Sequence, residues 1–358
     1  MTVEREADFC ARIIYRNGGL NRASKTGLVA LFVTLCAASP SLSDAYSLYK
    51  EVNLIGGYSS SEHWLGNSMS QMNSLGVEYF QRFSNDYGDY LTCDFQLRLA
   101  YNSVEPLDDA WAVEVHNAWA EYKLGLGRKL IAGHFAPAFG LEPLVDTHGT
   151  LLQTLAPMNI GFKNDWGVGF SDTLGDYDYS LAAQLGSGMS IQRRDSSGLL
   201  TGRIGTPTGS DFQYGLSLLY GKTLRAMGMG TFPRPELAPG GAVLKKRVGL
   251  DAQYLFGSYL LRGESVYGEN DSAQVAGGLV EVDYTVPDLQ ELKIQLQSTF
   301  WDSDLSRRDT EDVLVSAGLE YQVNKDLALR ALCSTNTLSN NDVQEEQVFL
   351  QVYYYAPF

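Results

Sequence analysis

The sequence predicts an all-β fold, a transmembrane antiparallel β-barrel of about 16 strands with long loops at one end. Three observations predict it. Apolar and polar residues alternate with a period of two through most of the chain after residue 45. The connections between these runs are short and long in turn. The last run ends on an aromatic residue, Phe358.

The clearest alternating run covers residues 91–101, where Cys93, Phe95 and Leu97 share one face and Asp94 and Gln96 the other. Period-two alternation is typical of a strand whose two faces meet different surroundings. The predicted strands are 50–60, 73–84, 90–102, 110–124, 129–137, 162–171, 177–187, 199–206, 211–222, 246–256, 258–268, 275–286, 291–302, 312–324, 326–337 and 346–357. Alternation alone does not decide which face lies outside, because the strands of a soluble β-sandwich also alternate.

The connections support a barrel that crosses a membrane. Short turns alternate with longer loops, as expected for short periplasmic turns and long outer loops. The longer loops are 60–73, 103–109, 137–162, 186–198, 223–246, 268–274, 302–312 and 338–345. No stretch after Tyr46 approaches the ~18 consecutive apolar residues of a membrane-spanning helix. Aromatic residues such as Phe212 and Tyr220 mark the ends of runs, where interfacial aromatic girdles lie.

The charge balance excludes nucleic acid as a partner. The chain has a formal net charge of −15, and residues 46–358 carry 22 Lys and Arg against 38 Asp and Glu. Phosphate binding needs clustered cations, which this composition does not provide. Two cysteines after residue 45, Cys93 and Cys333, give no disulfide framework and no metal-ligand spacing. Neither a metal nor a cofactor is predicted.

Residues 1–45 are predicted to be an N-terminal extension and a cleaved signal peptide, and residues 46–358 the barrel. Arg22 and Lys25 precede an apolar segment at 27–38, and Ser43 and Ala45 place small residues before a cleavage point at Tyr46. We therefore expect export to the outer membrane of a Gram-negative-type cell, with outer-membrane lipid around the barrel.

The end of the chain carries a second export signal. The last predicted strand reads VFLQVYYYAPF, and one face of it ends on the terminal aromatic residue. That face comprises Val348, Leu350, Val352, Tyr354, Ala356 and Phe358. The pattern resembles the C-terminal signature by which outer-membrane barrels are recognised, so we expect the barrel-assembly machinery to be a partner during biogenesis.

One stretch resembles a known family of channels. Residues 118–142 are similar to a strand-turn-strand of the phosphate-selective porin O and P family, and the match is carried by Gly133, Phe135 and the run Phe139, Gly140, Leu141 and Glu142. About 25 residues carry the motif. The resemblance implies a 16-stranded homotrimeric porin whose long third loop, 137–162, folds into the lumen and constricts it.

Ten residues are predicted to line the pore and set selectivity. Arg98, Lys123, Lys163, Arg262 and Lys293 point away from lipid in the predicted registers, as do Asp165 and Glu264, and His134, Asp146 and His148 lie in or beside the third loop. Charges on the lipid face of a barrel are costly, so these side chains belong in the lumen. The alternative for each residue is an ordinary water-exposed side chain of the lumen that binds no specific ligand. No catalytic residue is predicted, because none of the four histidines lies in a nucleophile motif.

The predicted function is passive diffusion of small hydrophilic solutes or ions, without enzymatic activity. The resemblance implies anions such as phosphate, whereas the acidic balance favours cations, and the sequence leaves both open. Two alternatives remain: a closed structural or adhesion barrel that works through its outer loops, and an outer-membrane hydrolase that uses Asp146 and His148. A sheath around a periplasmic partner such as a multihaem cytochrome is a further possibility.

Overall fold

A computed structural model describes residues 46–61, 63–66, 71–101, 110–125, 127–224, 226, 231, 241–339 and 345–358. The predicted signal peptide lies outside these residues. No helix within the described part of the chain is long and apolar enough to cross a membrane. The described residues form seventeen β-strands and one short helix.

The strands follow one another around a single antiparallel sheet. They are β1 (Tyr46–Ser59), β2 (His63–Leu65), β3 (Asn73–Asn85), β4 (Gly88–Tyr101), β5 (Trp111–Lys123), β6 (Lys129–Phe135), β7 (Asp165–Leu174), β8 (Tyr177–Gln184), β9 (Gly198–Gly205), β10 (Phe212–Thr223), β11 (Val243–Phe256), β12 (Tyr259–Asn270), β13 (Ala273–Thr285), β14 (Leu292–Asp302), β15 (Glu311–Asn324), β16 (Leu327–Leu338) and β17 (Glu346–Pro357). The helix α1 (Ala156–Asn159) lies between β6 and β7.

The sheet closes on itself because β1 pairs with both β3 and β17. Val52 lies opposite Leu75 on one side and opposite Tyr354 on the other. Within the described residues, sixteen strands complete the barrel, and β2 is an additional three-residue strand paired to the C-terminal end of β1. The predicted fold class, an antiparallel barrel of this strand number, is confirmed.

Burial shows which face of the strands is outside. On β1, Asn53 is completely buried, whereas its neighbour Leu54 exposes 52% of its surface. On β17, Gln351 exposes 2% and Leu350 exposes 63%. This is the inverse of a soluble protein, in which apolar side chains are the buried ones. The exposed apolar band is what a lipid environment accommodates, and the polar groups face the interior.

The two rims of the barrel differ. At one rim, two-residue turns join β3 to β4, β7 to β8, β11 to β12 and β15 to β16. Gly175 and Gly257 adopt φ values of +63° and +57° in two of these turns, which favours glycine in tight hairpins. Aromatic rings contact one another at this rim, with Phe212 near Tyr214 and Tyr254, and Tyr259 stacked on Tyr284. The set occupies the place of a membrane-interface girdle.

The long connection between β6 and β7 is slightly longer than predicted. The predicted strand at 129–137 ends at Phe135, and the next begins at Asp165 instead of residue 162. Pro137 has no backbone N–H, so it cannot donate to the sheet, and it restricts the residue before it. We call residues 136–164 the long internal loop.

Candidate functional site

The first part of the long internal loop is attached to the wall by its own backbone. The amides of Ala138, Gly140 and Leu141 donate to Thr201 Oγ1 at 3.1 Å, Ser217 Oγ at 3.0 Å and Glu264 Oε2 at 3.2 Å, respectively. These three acceptors belong to β9, β10 and β12. Polar wall side chains therefore satisfy loop amides that an apolar wall would leave unpaired.

The middle of the loop reaches the opposite wall. Arg330 Nη1 on β16 donates to the carbonyl oxygen of Gly149 at 2.8 Å, and Gln297 Nε2 on β14 donates to that of Gln153 at 3.0 Å. The His148 ring lies 2.8 Å from Gln96 Nε2 on β4. Because one loop contacts inward-facing side chains on β4, β12 and β16, it lies across the interior of the barrel.

The end of the loop is fixed by cations of β11. Lys245 Nζ donates to the carbonyl oxygens of Asn159 and Ile160 at 3.1 and 2.8 Å, and Arg247 Nε donates to Asn159 Oδ1 at 2.9 Å. Thr223 Oγ1 also donates to the Ile160 carbonyl, at 2.8 Å. These bonds hold the C-terminal end of α1, where cations are favourably placed.

An apolar cluster completes the attachment of the loop. Its core contains Phe139, Leu141, Leu155, Ala156, Ile160, Phe162, Leu199, Leu219, Leu224, Ala226, Val266 and Leu279. The strand members interrupt an otherwise polar inner wall on β9, β10, β12 and β13. A packed cluster of this kind favours one fixed position for the loop, because displacing it would expose apolar surface to water.

Most cations of the inner wall are paired with carboxylates. Arg98 forms a two-pronged bond with Glu51, with Nη2–Oε1 at 2.7 Å and Nε–Oε2 at 3.0 Å. The other pairs are Arg203 with Asp251, Arg262 with Glu281 and Asp283, and Lys293 and Arg330 with Glu320. Together these five cations meet five carboxylates, so they contribute little to the net field of the lumen.

Another set of carboxylates has no such partner. Among the described residues, no Lys or Arg forms a salt bridge with Glu78, Asp94 or Asp146. These three line a cavity of about 360 Å³ together with Asn117, His148, Tyr353 and Tyr355. We call this the acidic cavity. Three acidic groups therefore face one space without a described basic partner.

A smaller cavity of about 80 Å³ lies beside it. Arg98, His116, His134 and Lys163 are among its lining residues. The His134 side chain is completely buried, with Nδ1 2.8 Å from the His116 carbonyl oxygen and its ring 5.0 Å from that of Trp166. The His116 ring stacks on that of His148 at 5.4 Å, which links the two cavities.

The ten predicted pore residues fall into different environments. Arg98, His134 and Lys163 line the smaller cavity, and Asp146 and His148 line the acidic cavity. Arg262 and Lys293 are engaged in wall ion pairs, and Glu264 holds the loop backbone. Asp165 accepts the amides of Trp166, Gly186 and Ser187, so it anchors a loop. Lys123 lies at the last residue of β5, opposite Lys129.

The pair proposed for hydrolysis is arranged for anchoring. Asp146 Oδ1 accepts the backbone amide of His148 at 2.8 Å, which is a local turn. The His148 ring contacts Gln96, Glu51 and Tyr353, and thereby ties the loop to β4, β1 and β17. Among the described residues, no group of three or more His, Cys, Asp or Glu side chains could hold a metal ion.

Several interior residues were missed from the sequence although a signal was present. Glu51, Arg203, Arg247 and Arg330 each occupy the inward register of a strand. Their flanking residues alternate in the way that identified Asp251 and Glu264. Glu51 and Arg203 belong to the two least regular predicted strands. Extending the period-two register through those strands would have found both residues.

The barrel has many counterparts among solved structures. OmpF of Salmonella typhi in complex with daunomycin superposes with a TM-score of 0.62 at 12% identity, covering 87% of this chain and 97% of that one. An anion-selective porin from Comamonas acidovorans gives 0.60 at 13%, covering 88% and 100%. The fold is that of a porin barrel. The outer membrane channel DcaP of Acinetobacter baumannii gives 0.57 at 13%, covering 88% and 98%.

No protein-family model and no curated protein sequence matches the chain. At such low identities the structural likeness shows the fold alone. The resemblance of residues 118–142 to the phosphate-selective porin O and P family therefore stays a prediction.

Proposed function

We propose that the protein is an outer-membrane porin through which small hydrophilic solutes or ions diffuse passively. The observation that carries the proposal is the inverted barrel wall, apolar outside and charged inside, which suits a water-filled path through lipid. The solute gradient supplies the driving force, so the proposal needs no cofactor and no enzymatic step. The long internal loop acts as the constriction.

The pattern of pairing supports a preference for cations. Arg98, Arg203, Arg262 and Arg330 are neutralised by neighbouring carboxylates, whereas the acidic cavity holds three carboxylates that no described Lys or Arg neutralises. An excess of one charge along a pore sets its ion selectivity. We therefore propose cation selectivity in place of the phosphate selectivity that the family resemblance implies.

Conductance tests the proposal directly. The mature protein, purified from outer membranes, would be inserted into a planar bilayer and the single-channel current recorded in KCl. Swelling of liposomes loaded with the same protein and diluted into small sugars would report solute passage. Stepwise conductance together with swelling is expected. A protein that folds and inserts but gives neither result would overturn the proposal.

A closed barrel is the second candidate, and one observation favours it. Many inward-facing side chains are buried beneath the long internal loop, including Glu51, Gln96 and Glu264. If the loop seals the lumen, the same recordings will show no single-channel current. The function of the protein would then depend on its outer loops. We further propose a homotrimer, which chemical crosslinking in intact outer membranes would detect as a three-chain product.

A further inference from the structure

The acidic cavity lies between the middle of the barrel and its short-turn rim. Glu78, Asp94 and Asn117 reach it from the neighbouring strands β3, β4 and β5. The long internal loop covers it with Asp146 and His148, and β17 adds two tyrosines. Its volume of about 360 Å³ falls in the range of small-molecule sites.

One carboxylate in this cavity lacks the hydrogen bonds that burial requires. Asp94 exposes only 7% of its surface, and no donor reaches its Oδ1 atom. The Glu78 carboxyl group and the Asn117 amide are its polar neighbours. A buried carboxylate oxygen without a donor beside a second carboxylate is unfavourable unless the two groups share a proton or a bound group supplies N–H donors or positive charge.

The geometry favours an organic cation over a metal ion. Coordination of a metal needs several ligands around one point, and no group of three such side chains among the described residues meets that condition. An ammonium or guanidinium group can instead donate several hydrogen bonds to separated acceptors. The rings of Tyr353 and Tyr355 provide an apolar wall for a carbon chain, and Tyr355 is fixed by stacking on Tyr49 at 4.8 Å.

We propose that the acidic cavity binds the amino or guanidino group of a small organic cation as it passes through the barrel. The proposal rests on the proposed function, because it names the class of solute that the channel would favour. The Asp94 carboxylate is the principal contact, Glu78 and Asp146 share the positive charge, and the tyrosines contact the aliphatic part. A cation held here sits directly beneath the constricting loop.

Spermidine is a suitable probe because its amino groups are separated by flexible carbon chains. Its binding to the detergent-solubilised protein would be measured by isothermal titration calorimetry, and its block of the KCl current in planar bilayers. Asp94→Asn and Glu78→Gln keep the side-chain shape and remove the charge, so each should weaken binding about tenfold. Asp176→Asn removes one charge from an exposed short turn and should leave binding unchanged.

The two readouts separate this inference from the channel proposal. If KCl conducts but spermidine neither binds nor blocks, the cavity proposal fails and the porin proposal stands. If spermidine binds but no current flows, the site stands in a closed barrel. Equal weakening by Asp94→Asn and Asp176→Asn, or displacement of spermidine by equimolar Mg²⁺, would overturn the assigned site. Unchanged binding in Asp94→Asn and Glu78→Gln would do so as well, since neither carboxyl group would then contact the bound cation.

Discussion

The ion pair between Glu51 and Arg98 should contribute far more to stability than an exposed ion pair near the ends of the strands. The Glu51 and Arg98 side chains expose 1% and 5% of their surfaces, whereas Lys246 and Glu269 on β11 and β12 expose 51% and 40%. Removing one partner of a buried pair costs about 3–5 kcal/mol, because the other charge stays buried without compensation. Lys246 and Glu269 lie near the loop ends of β11 and β12, where an exposed pair is screened by water and contributes about 0–1 kcal/mol.

The matched variants Glu51→Gln and Glu269→Gln each remove one charge and change the side-chain volume little. Unfolding in guanidinium chloride of the protein in lipid vesicles, followed by tryptophan fluorescence, gives the free energy of unfolding. We expect the loss in Glu51→Gln to exceed that in Glu269→Gln by at least about 2 kcal/mol. Equal losses would refute the reasoning, since the interior would then screen charges as well as the exposed surface does.

Three further variants test separate parts of the account. Gly140→Ala should displace the loop and change the single-channel conductance, because φ is +58° there and the new methyl group would strike Glu264; left-handed backbone alone costs about 1–2 kcal/mol. An unchanged conductance would contradict this. Asp165→Asn should lower the free energy of unfolding by about 1–3 kcal/mol without moving the reversal potential, since its carboxylate holds backbone amides. A shifted potential would make it a pore residue instead. Leu350→Arg should cost about 2–4 kcal/mol on the lipid face, whereas Tyr87→Arg at an exposed turn should be tolerated, and equal unfolding curves would contradict the assigned outer face.

The strands were predictable because a barrel wall separates two solvents along its whole length. Every residue of β4 or β10 faces either lipid or the interior, so the sequence carries the period-two pattern without interruption. Connections were less predictable. Residues 268–274 read as a long loop, yet β12 continues to Asn270 and β13 begins at Ala273, because polar residues at the rim of a barrel pair as readily as apolar ones.

The sequence predicted which side chains point into the barrel, but not which groups they contact there. The inward orientation of Arg262 and Glu264 follows from the strand register, and burial agrees with it. That Arg262 meets Glu281 and Asp283, while Glu264 holds the loop, depends on the stagger between strands and on the path of residues 136–164. No local pattern encodes either. For the same reason, the sequence could not predict that an oxygen of the Asp94 carboxyl group is buried without a hydrogen-bond donor.

The central claim is that the charged side chains inside the barrel govern which ions pass through it. The reversal potential under a KCl gradient tests this claim most directly. The wild-type protein in a planar bilayer should conduct and show a potential of the sign set by K⁺. The double variant Glu78→Gln, Asp94→Asn should move that potential toward zero, because it removes two of the three unneutralised carboxylates of the acidic cavity. An anion-selective potential in the wild type, or no change in the double variant, would contradict the account.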